Sequence, residues 1–170
     1  TRRTVEPSAV GLDMGRNLAG CPEITVRGTK GQRITLLVSE SLTDEGACNQ
    51  RQTGRQHYYE YTLKGEGVET WHPRFSYYGF RYIQVEGAVL KGQKNTLHLP
   101  VIQKIQSCFV YNSAPKVSTF QCSNRIFNEA HRLIEKAVRS NMQSVFTDCP
   151  HREKLGWLEQ DHLCGPGLLY

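Results

Sequence analysis

The stretch Phe146-Thr-Asp-Cys-Pro-His-Arg-Glu-Lys-Leu-Gly-Trp-Leu-Glu-Gln-Asp161 decides how the rest of the chain is read. Its sixteen residues hold four carboxylates (Asp148, Glu153, Glu159 and Asp161) together with Cys149, His151, Arg152 and Trp157. Pro150 and Gly156 interrupt any helical or strand period, so the stretch is not core filler. It reads as a site, and the sequence before it as the support of that site.

Directly upstream, Ser123 to Val145 carries a helical period. Ile126, Phe127, Ala130, Leu133, Ile134, Ala137, Val138, Asn141, Met142 and Val145 recur at three- and four-residue steps, while Arg125, Glu129, Arg132, Glu135 and Arg139 fall opposite. Ser123 or Asn124 suits the N-cap. This helix delivers the chain to the acid-rich stretch.

Further upstream the period is that of strands. Glu23-Ile-Thr-Val-Arg27, a turn at Gly28-Thr-Lys-Gly31 and Arg33-Ile-Thr-Leu-Leu-Val-Ser-Glu40 predict a hairpin. His57 to Leu63 and Val68 to Trp71 predict two more strands, and the aromatic-rich run from Pro73 to Gly87 ends in the alternation Tyr82-Ile-Gln-Val-Glu86. Asn95 to Ile102 predicts a further short strand inside a less regular segment, Ala88 to Phe120. Short strands with turn punctuation at this spacing predict an antiparallel β-sandwich rather than βαβ units. The aromatics between Trp71 and Tyr82 suit either core packing, the commoner use of such a cluster, or a sugar-stacking platform.

Composition narrows the classes. A chain of 170 residues with 38% hydrophobic and 22% charged residues is an ordinary globular sequence, and at this size folding buries about 70% of the unfolded surface. No apolar run reaches the roughly 20 residues of a membrane helix, so no membrane insertion is expected. The net charge of +5 is scattered, with no like-charge run beyond Arg2-Arg3, and nucleic acid is not an expected partner. Six cysteines match no small disulfide scaffold and read mostly as buried thiols. The chain opens at Thr1 without a signal-peptide pattern and stops on Gly165-Pro-Gly-Leu-Leu-Tyr170, where a new element is starting. The expectation is a piece cut from a longer chain.

The acid-rich stretch suits glycoside hydrolysis. That reaction needs one acid to protonate the leaving oxygen and a second carboxylate to activate water or attack the anomeric carbon, with further groups on the sugar hydroxyls. If Pro150 opens a helical turn, Glu153, Trp157 and Asp161 share one face. Glu153 beside Trp157 would then be desolvated, as a general acid requires, and Asp148 beside Arg152 would stay ionised. A structural reading of the same residues is a helix-leading loop whose acids cap the backbone and pair with Arg152 and Lys154. Cys149, His151, His162 and Cys164 offer four possible zinc ligands, but their single-residue spacings are not those of common zinc sites. Neither a metal nor a cofactor is expected.

At these residues the sequence resembles the α-L-rhamnosidases of glycoside hydrolase family 78. Thr147-Asp-Cys-Pro-His-Arg-Glu-Lys-Leu-Gly-Trp157 is similar to that family's signature over eleven consecutive residues. Leu12 to Gly20, Ile34 to Glu40 and Trp71 to Tyr82 are similar to the β-sandwich that precedes the family's (α/α)6 catalytic barrel, and Phe120 to Asn124 to the start of the first barrel helix. The resemblance implies a β-sandwich over residues 1–100, a connector over 101–122 and the truncated N-terminal part of an (α/α)6 barrel over 123–170. The first helix would leave its apolar face uncovered.

By the same resemblance, the parent protein is an inverting hydrolase that removes terminal, non-reducing α-L-rhamnose, so its expected partner is a rhamnose-containing glycan or glycoside. Glu153 matches the general acid, Asp148 and Arg152 match residues on the rhamnose hydroxyls, and Trp157 matches an aromatic at the sugar site. The family's further acid stands shortly after the tryptophan, where this chain has Gln160, leaving Glu159 and Asp161 as its replacements. The general base belongs to a later part of the barrel, beyond Tyr170. The rival reading is a non-catalytic carbohydrate-binding β-sandwich that holds a glycan on the aromatics around Trp71 to Tyr82.

Overall fold

The computed structural model describes residues 10–52 and 54–168; Thr1, the Arg2-Arg3 pair and the last residues of the terminal Gly165 to Tyr170 run lie outside the described residues. The elements in chain order are β1 (Val10–Arg27), β2 (Arg33–Ser39), β3 (Tyr58–Thr62), β4 (Val68–Trp71), β5 (Tyr78–Glu86), β6 (Val89–Leu90), β7 (Val101–Phe109), α1 (Arg125–Asn141) and α2 (Leu158–Leu168). No helix among the described residues is long and apolar enough to cross a membrane.

The strands form one hydrogen-bonded sheet in the order β3-β2-β5-β1-β7-β6, with β4 also paired to β1. Every pairing is antiparallel except β6 with β7. The long strand β1 is common to both halves: Val10 to Gly20 pairs with β5, and Gly20 to Arg27 pairs with β7. Its register breaks between Asp13 and Leu18, where Gly15 takes a φ of 85° and its amide donates to the Asp13 carboxylate at 2.8 Å. Arg81 donates to both oxygens of that carboxylate, at 2.8 and 2.7 Å.

The two halves face each other as a sandwich. Tyr61 of β3 stacks on Trp71 of β4 with ring centroids 4.9 Å apart and donates its hydroxyl to Glu69 at 2.6 Å, although β3 and β4 share no backbone ladder. Ile24 and Val26 of β1, Ile34, Leu36 and Val38 of β2, Phe80, Ile83 and Val85 of β5 and Ile102 of β7 form the shared core. Each such side chain contributes about 1.5–3 kcal/mol by leaving water.

The hairpin expected of Glu23–Glu40 does not form. β1 and β2 are joined by the expected turn, yet β5 lies between them in the sheet. Both strands carry fully buried apolar rows, which meet across the core instead of side by side. The turn is a crossing between layers: the Gly31 amide donates to the Leu63 carbonyl at 3.0 Å, and the Gln32 side chain donates to the His98 carbonyl at 2.8 Å. A side chain on Gly28 would come within 2.6 Å of the Leu63 side chain and 2.7 Å of the Gln32 side chain, so the crossing is tightly packed there. The strand expected within Asn95–Ile102 begins only at Val101, because the Asn95 side chain brackets Leu99 and His98 takes a φ of 52°.

Helix α1 starts as its sequence dictates. Asn124 is the N-cap, accepting the Ile126 amide at 2.9 Å. The helix ends at Asn141, short of the expected Val145, because the Asn141 carbonyl is taken by the Thr147 amide at 2.9 Å. Ile126, Phe127, Leu133 and Ile134 are exposed along it. Of the six cysteines only Cys21 and Cys48 are buried; Cys108, Cys122, Cys149 and Cys164 are half-buried thiols, of which Cys108 packs against the core.

Candidate active site

The acid-rich stretch is a closed loop between α1 and α2. Thr147 starts it, buried, with its hydroxyl 3.1 Å from the Asn141 side-chain oxygen. Asp148 closes it. The Asp148 amide donates to the Leu155 carbonyl at 2.9 Å, and its carboxylate accepts the amides of Cys149 at 2.8 Å and Leu155 at 3.0 Å. Partial burial pushes the Asp148 carboxyl up, but the Leu155 amide, a hydrogen bond with the Glu153 carboxyl group and the Cys149 amide outweigh it and hold it below the usual carboxylate range. The expected ionisation of Asp148 therefore has a different cause from Arg152, whose guanidinium lies 3.5 Å from Glu153 instead.

The helical turn expected from Pro150 is absent. Residues 150–153 form a turn, Lys154 takes a φ of 58°, and α2 begins only at Leu158. Lys154 in the left-handed region breaks the helical path, so Glu153, Trp157 and Asp161 do not share a helical face. Glu159 and Asp161 sit in the first turn of α2, where acids favour the helix dipole. Glu153 projects into solvent with 45% of its side chain exposed, and Trp157 is 52% exposed, so the expected desolvation of one by the other is not seen.

Other residues of the loop turn toward the sandwich. The Lys154 ammonium donates to the Tyr77 carbonyl and lies 4.3 Å and 4.4 Å from the ring centroids of Tyr77 and Tyr78. Burial pushes that ammonium down to about 8, Arg55 adding repulsion and Cys149 opposing it. His151 Nε2 stands 3.1 Å from a Glu40 carboxylate oxygen at the end of β2. A side chain on Gly79 would come within 2.9 Å of both Pro150 and His151, so the loop rests on bare β5 backbone.

These anchoring residues, His151, Lys154, Tyr77 and Gly79, are the part of the site that sequence reasoning missed. Their signal in the sequence is His151 and Lys154 inside the motif, which read there as a possible zinc ligand and as a partner for the acids. No group of three or more His, Cys, Asp or Glu side chains among the described residues is placed to hold a metal. Cys149 accepts the Glu153 amide and His151 meets Glu40, while His162 and Cys164 sit on α2. Of the aromatic cluster, Phe80 is core, Tyr78 stacks on His57 at 4.2 Å and Trp71 on Tyr61. Phe75 is the member turned wholly to solvent.

Comparison with known proteins places this geometry. Residues 3–111 match the bacterial α-L-rhamnosidase concanavalin-like domain, and residues 115–170 match the bacterial α-L-rhamnosidase 6 hairpin glycosidase domain. An α-L-rhamnosidase of Formosa agariphila is 32% identical over 94% of this chain, which covers 16% of that protein. The crystal structure of Streptomyces avermitilis α-L-rhamnosidase complexed with L-rhamnose superposes with a TM-score of 0.78 at 32% identity, over 95% of this chain and 15% of that one. The structure of the α-L-rhamnosidase from Dictyoglumus thermophilum gives 0.79 at 30% identity, over 97% of this chain and 18% of that one. The chain thus spans less than a fifth of the length of these relatives. With the sheet matching one domain of these enzymes and the acid loop lying inside the match to the next, the chain belongs to the bacterial α-L-rhamnosidase family.

Proposed function

We propose that the whole protein of which this chain is part is an inverting glycoside hydrolase that removes terminal, non-reducing α-L-rhamnose from glycans or glycosides. The observation that carries this reading is the division of labour in the acid loop: Asp148 is locked onto backbone amides, while Arg152 and Glu153 are left facing solvent beside it. Glu153 protonates the glycosidic oxygen as it leaves. Asp148, held ionised, and Arg152 take the rhamnose hydroxyls, Trp157 lies against the sugar ring, and Glu159 or Asp161 supplies a further acid from the first turn of α2. A second carboxylate, from a later part of the whole protein, activates water from about 6.5–9.5 Å away, the separation inverting enzymes use.

On this reading the accessory sandwich extends to Phe109, since β7 pairs with β1. The connector follows it, and the catalytic domain starts near residue 123. Glu153→Gln in the whole protein should lower hydrolysis of an unactivated aryl rhamnoside by about 10²–10⁴-fold, the range for a lost general acid, while rhamnose binding survives. A wild-type rate would overturn the assignment.

A further inference from the structure

The sandwich holds the acid loop on either side of Glu153. Just before it, His151 meets Glu40 at 3.1 Å and leaves no room on Gly79. Immediately after it, Lys154 reaches the Tyr77 carbonyl and the faces of Tyr77 and Tyr78. At the loop's start, Thr147 hydrogen-bonds with the Tyr77 side chain. Between these fixed points Glu153 is held only by the loop itself, its carboxyl hydrogen-bonded with Asp148 and 3.5 Å from the Arg152 guanidinium.

Lys154 occupies an uncomfortable place. Its backbone is in the left-handed region at φ 58°, and its ammonium is partly desolvated with no carboxylate of the described residues within ion-pair distance. Such strain is kept where the surrounding structure over-determines it, and it gathers near reacting groups. Here the strain turns the chain between Glu153 and Leu155, and the cation–π and carbonyl contacts hold the turn in place. Methionine would keep the stem of the side chain and lose both contacts.

We propose that Lys154 is a positioning residue: by tying the residue after Glu153 to the Tyr77–Tyr78 corner of the sandwich, it sets where the Glu153 carboxyl points, and the β-sandwich thereby becomes part of the catalytic apparatus. This rests on the reading of Glu153 as proton donor. A proton donor misplaced by about 1 Å costs on the order of 10²-fold. The cost falls on substrates whose leaving group needs the proton. A dinitrophenyl rhamnoside, whose leaving group departs as the anion, is spared.

The test is made in the whole protein with Lys154→Met and Lys154→Arg, on an unactivated aryl rhamnoside and on the dinitrophenyl rhamnoside. Lys154→Met should lower kcat on the first by about 10- to 100-fold, with KM little changed, leave the second nearly untouched, and be largely rescued in Lys154→Arg. Tyr78→Leu, which removes one ring from the sandwich side, should show the same leaving-group pattern more weakly, and it stands in if Lys154→Met fails to fold. Equal losses on both substrates, or no loss, overturn the inference. Glu153→Gln run alongside separates the two ideas: if it shows no leaving-group dependence, the proton-donor reading falls, and if it does while Lys154→Met does not, only the positioning role falls.

Discussion

Asp148 and Leu155 close the acid loop with a reciprocal pair of bonds, the Asp148 amide to the Leu155 carbonyl at 2.9 Å and the Leu155 amide to the Asp148 carboxylate at 3.0 Å. Asp148 therefore builds the loop as well as lining it, which gives its variants separable effects. Asp148→Ala should cost about 0.5–1.5 kcal/mol, the range for a typical lost hydrogen bond where the partners stay within reach of water, and release the amides of Cys149 and Leu155 to fast hydrogen exchange. Asp148→Asn keeps an acceptor oxygen and should hold the loop, yet lose rhamnose affinity with the charge. Its folded value is lowered, so the carboxylate contributes stability above its ordinary value of 3.8 that is lost as pH falls through the folded value. If Asp148→Asn frees the two amides as fully as Asp148→Ala, the loop-building role is wrong.

His57 should make the sandwich acid-labile. The imidazole is fully buried, stacked on Tyr78, and neither ring nitrogen has a hydrogen-bond partner among the described residues. Burial pushes it down to about 4 from 6.5, and the nearby positive charges of Lys154, Arg55 and His151 add to the shift. Between those pH values the unfolded chain binds the extra proton, so stability falls as pH drops from 6.5 to 4, by at most about 1.4 kcal/mol per pH unit. His57→Phe, which keeps the stack and removes the titration, should flatten that acid limb in thermal unfolding followed against pH. An unchanged limb would rule His57 out as its source.

Above neutrality stability and catalysis should part. Lys154 titrates near 8 in the folded protein against 10.5 unfolded, so the unfolded chain binds more protons between these values and stability rises with pH there. The same deprotonation removes the cation from the faces of Tyr77 and Tyr78, beside Arg55, Cys149 and the His57 and His151 rings. In the whole protein, kcat on the unactivated rhamnoside should fall above pH 8 while the unfolding midpoint does not. Lys154→Arg, which stays charged, should move that limb to higher pH; a limb that stays in place belongs to another group.

How much of this was legible from the residues follows from what each signal encodes. The three- and four-residue steps from Ile126 to Val138 and the Asn124 cap prescribe α1 directly, and β2 to β5 are local runs with turns between them. A turn at Gly28–Gly31 announces that the chain reverses, but whether it returns to the same layer depends on β5, more than forty residues later, which inserts beside β2. β1 was half hidden because the break between Asp13 and Leu18 and the polar Arg16 and Asn17 interrupt its alternation. In the acid loop, residue identity marks Asp148, Arg152 and Glu153 as candidates. The left-handed turn at Lys154 carries no compositional mark, so a helix was expected where a loop formed.

The corner made by Tyr77, Tyr78 and Gly79 also bears on how this family can vary. A bare glycine backbone, two ring faces and one carbonyl are matched to a proline, a histidine and a lysine in the next domain. Domains joined by a plain linker can be traded between homologues as modules, but these two are keyed to one another on either side of Glu153. If Glu153 is the proton donor proposed above, a chimera carrying a foreign sandwich would inherit two sound folds and a badly aimed acid.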